Sequence, residues 1–173
     1  GQFKMDVFDA LFTRRSIRKF TTQFVSKDDE NLILKAAMLA PSACNEQPWH
    51  FVCVRDAEMR ERLSHVSPYT HMAAEAPLVI VVCGDLSLEK AKGMWVQDCS
   101  AAIENILLAA RGKNLGSVWC GIHPEKEREA KTREVLGIPD SVIPLAVISI
   151  GHPAQHFSEA SRFDKARIHQ DKW

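Results

Sequence analysis

The chain has one tyrosine in 173 residues, no excess of either charge, no apolar run long enough to cross a membrane and no C-x-x-C pair. Each absence excludes something. Lysine plus arginine and aspartate plus glutamate both number 22, so the formal net charge is zero. Nucleic-acid and membrane-surface roles draw on a basic excess and are disfavoured. Without a membrane span or a signal-peptide pattern, the expected location is the cytoplasm. The five cysteines (Cys44, Cys53, Cys83, Cys99, Cys120) are odd in number and suit a reducing compartment better than a disulfide framework.

Motifs are missing too. Gly112-Lys113-Asn114-Leu115-Gly116-Ser117 has its lysine on the wrong side for a P-loop. No G-x-G-x-x-G follows a strand, and there is no G-x-S-x-G elbow. His152 and His156 form H-x-x-x-H, but Gly151 and Pro153 argue against the helix that would aim both rings at one metal, so no metal site is expected. No set of acid, base and nucleophile emerges. If the chain is an enzyme, a cofactor carries the chemistry.

What remains is an ordinary globular composition, 46% hydrophobic and 25% charged, at a length that argues for one domain over 1–173. Asp6 to Arg14 reads as a helix with Val7, Phe8, Leu11 and Phe12 on one face. A second helix starts at Ser26, capped with Asp29, and stops at Ala40 before Pro41. Trp49 to Arg55, the continuous apolar run from Pro77 to Cys83, Ser117 to Gly121 and Leu145 to Gly151 read as strands. Glu58 to His65 and Glu125 to Leu136 read as polar helices, and Ser67 to Glu75 is ambiguous. Gly93 to Arg111 is the longest helix. It is apolar nearly all round, which predicts packing against its own sheet and against another subunit. About four strands alternating irregularly with five helices predict an α+β layered fold, a central sheet with helices on both faces.

Two stretches stand out. Thr13-Arg14-Arg15-Ser16-Ile17-Arg18-Lys19 packs four cations and two hydroxyls together with no acidic run nearby. It reads either as helix-end cations facing the macrodipole or as a holder of an anion. Pro41-Ser42-Ala43-Cys44-Asn45-Glu46-Gln47-Pro48 reads as a loop before a strand. Taken with Gly116-Ser117-Val118-Trp119-Cys120-Gly121-Ile122-His123-Pro124 and the tail from Arg162 to Trp173, in this order and spacing, the chain resembles the FMN-dependent nitroreductase family along its whole length.

The resemblance implies the family's layered fold with a central mixed sheet, a homodimer, and FMN at the subunit interface. It assigns Arg14 and Ser16 to the phosphate with Arg15 nearby, and Arg18 to the N1 and C2-carbonyl side of the ring. It brings the loop residues Pro41, Ser42, Ala43, Asn45 and Gln47 to the flavin, with Ser42, Ala43 and Asn45 reaching it from the partner subunit. Trp119, Cys120 and Gly121 fall near the N5 side, and Arg162 gives a further phosphate contact. No protein residue is assigned the chemistry. The implied activity is ping-pong hydride transfer from NADH or NADPH through flavin N5 to a nitroaromatic, a quinone or a similar acceptor. The family also holds dehydrogenating and dehalogenating members. A flavin carrier with little turnover is the alternative from another class.

Overall fold

The computed structural model describes residues 5–173. Helix α1 (Val7–Thr13) leads through an extended segment to α2 (Lys27–Met38). The Asp29 amide donates to Ser26 Oγ at 3.0 Å and opens α2, as the capping pattern predicts. The helix ends two residues earlier than Pro41 alone required, with Leu39 as its C-cap. The loop to Pro48 feeds strand β1 (Trp49–Val54), followed by α3 (Ala57–Leu63), β2 (Leu78–Asp85) and α4 (Trp95–Gly112). The ambiguous stretch before β2 is a single tight turn, His71–Ala74. Strand β3 (Gly116–Gly121), α5 (Lys126–Leu136) and β4 (Val142–Gly151) complete the core, and an extended arm continues to Trp173.

The sheet runs β1-β2-β4-β3. All three strand pairs are antiparallel, which corrects the mixed sheet expected from sequence. The links β1–β2 and β3–β4 are helical excursions that return to the end of the sheet they left, so neighbours must run in opposite directions. The parallel element shrinks to one bridge, Ser16 to Ser117.

Alternation along β2 sends Leu78, Ile80 and Val82 to one face and Val79, Val81 and Cys83 to the other, all buried. The first face meets α2 and α4; the second meets α3, the turn before β2 and α5. Helices therefore cover both faces. Ile103 and Ile106 of α4 are wholly buried, and truncating either to alanine should cost about 2–5 kcal/mol. Within the chain, part of the apolar surface of α4 is already covered. Helix α2 takes one flank, where Asn105 Nδ2 donates to the Ala36 carbonyl at 2.9 Å, and α1 takes part of another.

Candidate cofactor site

The cation segment lies on edge strand β3. The Ile17 amide donates to the Ser117 carbonyl at 2.9 Å, and Ile17 is buried beneath it. This approach requires a glycine at 116: a Cβ there would stand 2.7 Å from the Ile17 Cβ. The segment is held on its other side by the arm. The Arg18 amide donates to Gln155 Oε1 at 2.9 Å, and the Ala154 amide to the Lys19 carbonyl at 2.8 Å.

The cations are used unequally. Arg15 donates to the Ser158 carbonyl at 2.6 Å and stacks over Phe157 at 4.7 Å, so it ties the arm down. Among the described residues Arg14 reaches only the half-exposed Glu104, at 3.9 Å, a pair worth little in water. The Arg18 guanidinium is exposed and has no carboxylate partner among the described residues. It points at the end of β3, where its charge pulls the Cys120 thiol down against the burial that raises it to about 11. Arg18, Trp119, Cys120 and Gly121 share a concavity of about 230 Å³ with Tyr69 and Met72. Trp119 is 38% exposed and Gly121 is exposed too on a strand whose other residues are buried, and a Cβ on Gly121 would meet nothing within 4 Å. Arg128 braces this rim, donating to the Gly121 carbonyl at 3.3 Å and lying 5.3 Å over the Tyr69 ring.

Arg162 joins Arg14 in a groove with Leu11 and Phe12. Lys165-Ala166-Arg167 adds two more exposed cations on the same arm, Arg167 pairing with Asp164 at 3.4 Å.

The loop 41–48 is not part of this group. Cys44, Asn45 and Gln47 all have positive φ (52°, 50° and 45°), a conformation that side chains normally avoid. Ser42 Oγ accepts from the Gln47 amide at 3.0 Å, and Gln47 Nε2 donates to Asn45 Oδ1 at 3.0 Å. The Ala43 amide donates to Asp98 Oδ1 at 2.8 Å, fixing the loop at the start of α4. The cation segment sits at the other end, where Arg111 Nε donates to Thr13 Oγ1 at 2.9 Å. Asp98 and Arg111 stand roughly 20 Å apart along α4. The loop also feeds β1 and the cations lie on β3, opposite edges of the sheet, about 14 Å apart.

The group that the resemblance implies is planar and aromatic with an anionic phosphate. The first cluster suits it: two under-partnered arginines, a serine hydroxyl and an open, partly aromatic rim on a strand that glycine lets the chain approach. Pro41, Ser42, Ala43, Asn45 and Gln47 form a second, separate cluster.

An antiparallel sheet between helical layers, with an arginine segment laid on its edge strand, defines a small α+β class built to present cations beside an open strand end. A family model described as "Nitroreductase family" matches residues 11–67 and 64–152, and the chain belongs to that family. It is 49% identical over 170 residues to a protein of Methanothermobacter thermautotrophicus with the provisional name NADH dehydrogenase/NAD(P)H nitroreductase, covering 98% of this chain and 89% of that protein. An FMN-dependent nitroreductase of Clostridium difficile superposes with a TM-score of 0.90 at 30% identity, covering 96% and 99% of the two chains. A provisionally named nitroreductase of Desulfovibrio desulfuricans, solved in complex with FMN, superposes with a TM-score of 0.83 at 31% identity, covering 98% and 99%.

Proposed function

We propose that the chain is a single flavin-binding domain over 1–173 and an FMN-dependent oxidoreductase that takes electrons from NADH or NADPH. The observation that carries this reading is the Arg14–Arg18 segment, docked on β3 with its cations under-partnered beside the open Trp119–Gly121 rim. When bound, FMN supplies hydride acceptance from the nicotinamide and two-electron delivery to a nitroaromatic, quinone or similar acceptor. The chain's own residues bind and tune. Arg14 and Ser16 meet the phosphate, helped by Arg162; a guanidinium fork suits such an anion. Arg18 sets a fixed positive charge beside the ring, which favours negative charge there and raises the reduction potential. Trp119, Cys120 and Gly121 form the floor beside N5, and no side chain there need act as acid or base.

The active unit is a homodimer. Each chain carries two half-sites on opposite edges, so Pro41, Ser42, Ala43, Asn45 and Gln47 complete the partner's site. The apolar face of α1 supports this. Val7, Phe8, Leu11 and Phe12 are all exposed in the single chain, as are Phe163, Ile168 and Trp173 of the arm. Clustered apolar exposure of this kind marks an interface.

The test is the purified protein's absorption spectrum followed by anaerobic stopped-flow with NADH and NADPH. A yellow protein bleached by either donor supports the reading. A yellow protein that neither donor bleaches is a carrier. A colourless protein that takes up no added FMN overturns the cofactor assignment.

A further inference from the structure

The strained loop 41–48 is held by two buried carboxyls that the flavin chemistry leaves unused. Glu46 is 6% exposed and Asp98 4%. Each spends one oxygen on backbone amides. Asp98 Oδ1 accepts from Ala43 at 2.8 Å, and Glu46 Oε1 accepts from Ala91 at 2.9 Å and Lys90 at 3.1 Å. The remaining oxygens, Glu46 Oε2 and Asp98 Oδ2, are buried with no donor to satisfy them. Both carboxyls meet at the Ala43–Glu46 turn, close enough for each to weigh on the other's titration. Two ionised carboxylates so placed repel; one proton between them turns the repulsion into a hydrogen bond and satisfies both orphaned oxygens.

The proton's home follows from the surroundings. The Ala91 amide, before any other cause, holds Glu46 below its ordinary value, with the Lys90 amide and charge adding to it. Burial raises Asp98 and outweighs the Ala43 amide, which favours its charged form; the contact with Glu46 and the charges of Glu46 and Glu89 push it up as well. The other titratable group facing the pair is Cys99 on α4, a thiol pushed up to about 12 and so neutral throughout the working range. Of the two, Asp98 is the one that keeps its proton longer as pH rises.

We propose that Glu46 and Asp98 are positioning residues for the flavin site: a hydrogen bond from the Asp98 carboxyl to the Glu46 carboxylate ties the loop to α4 and to the turn before it, and holds the left-handed turn at Cys44, Asn45 and Gln47 that sets Ser42, Ala43 and Asn45 where they meet the flavin. This rests on the reading above that the loop contacts FMN. The pair does not touch the cofactor and acts only through the loop. The direction with pH follows. Asp98 titrates above its ordinary 3.8, so the tie is intact at low pH and is lost as pH rises through the folded-state value.

Two readouts test it. The first is FMN affinity across pH for the wild type, D98N, E46Q and the double amide D98N/E46Q. Either single amide supplies a permanent donor in place of the proton, so D98N and E46Q bind FMN with a flatter pH profile than wild type. The double amide sets two NH2 groups against each other, and its affinity falls about tenfold at every pH. If D98N does not fold, E46Q makes the same comparison. The second readout is hydrogen exchange of the Gln47 amide, bonded to Ser42 Oγ inside the loop, in the flavin-free protein, with the intrinsic pH dependence divided out. Protection is lost at high pH in wild type and kept in D98N. A D98N profile that follows wild type in both readouts, or a double amide that binds like the singles, overturns the proposal. If no variant binds FMN, the functional reading fails, and Gln47 exchange alone decides the pair: protection that differs between wild type and D98N sustains it, and identical protection ends it.

Discussion

Gly116→Ala separates the cofactor reading from a merely structural one. An alanine Cβ would lie 2.7 Å from Ile17 Cβ and 2.8 Å from both of its γ-carbons. Carbon atoms settle at about 3.5–4.0 Å, so the segment must retreat by roughly 1 Å. Ile17 cannot yield alone, because its own amide is bonded to the Ser117 carbonyl on the same strand. Overpacking of this kind costs about 1–3 kcal/mol, or roughly 2–10 °C in Tm for a chain of this length. The same retreat carries Arg14, Ser16 and Arg18 off their places, and FMN affinity should fall by about tenfold or more. Gly112→Ala is the control, since a Cβ there meets nothing within 4 Å and alanine suits the end of α4. Differential scanning fluorimetry and fluorescence titration with FMN give both numbers. A variant that loses stability but binds FMN like wild type would show that the flavin does not sit on this segment.

Other outcomes are expected together. Arg18→Ala should weaken FMN binding by roughly ten- to a hundredfold and make the bound flavin's potential more negative, measured by dye-coupled titration; an unchanged potential removes Arg18 from the ring. Arg60→Ala should destabilise the fold by about 2–3 kcal/mol in urea, because Arg60 alone bonds the Arg55, Ala74 and Ala76 carbonyls at 3.1, 2.8 and 2.8 Å. Burial pushes Cys83 and Cys99 up to about 12 and Cys120 to about 11, above the ordinary 9.0. The unfolded chain therefore releases these protons first, and the urea midpoint should fall as pH rises from about 9; a flat profile between pH 8 and 10.5 would refute the burial. Phe8→Asp with Phe12→Asp should turn a dimer into a monomer in light scattering, and a wild type that is itself monomeric would end the shared-site picture.

The sequence announced most of the fold where one short-range rule governs. Ser26 and Asp29 cap α2 because that bond is local, and Leu78 to Cys83 is buried on both faces because nothing in it is polar. What it did not announce depends on contacts distant in sequence. Strand direction follows from where helices return the chain, which residue types do not encode. The breadth of the apolar stripe on α4 pointed to a partner, whereas α2 and α1 take part of it. The need for glycine at 116 was not legible, because its partner Ile17 lies far upstream. Nothing local paired Glu46 with Asp98. Only the fold buries them together. The sole hint was one acid in a loop otherwise made of proline, serine, alanine, cysteine, asparagine and glutamine.

The order β1-β2-β4-β3 sets loop and cations on opposite edges of one chain, and this has a genetic consequence. In a two-fold dimer each site draws its arginines from one copy and its loop from the other. Two defective alleles, one broken at Arg18 and one in the loop at Asn45, would each give a dead protein alone. Mixed in one cell, their hybrid concentrates both lesions in one site and leaves the other wholly wild type. Random pairing then restores roughly a quarter of the sites. Mutations that look equivalent in any assay of the pure proteins would fall into two complementation groups, divided by the edge of the sheet on which they lie.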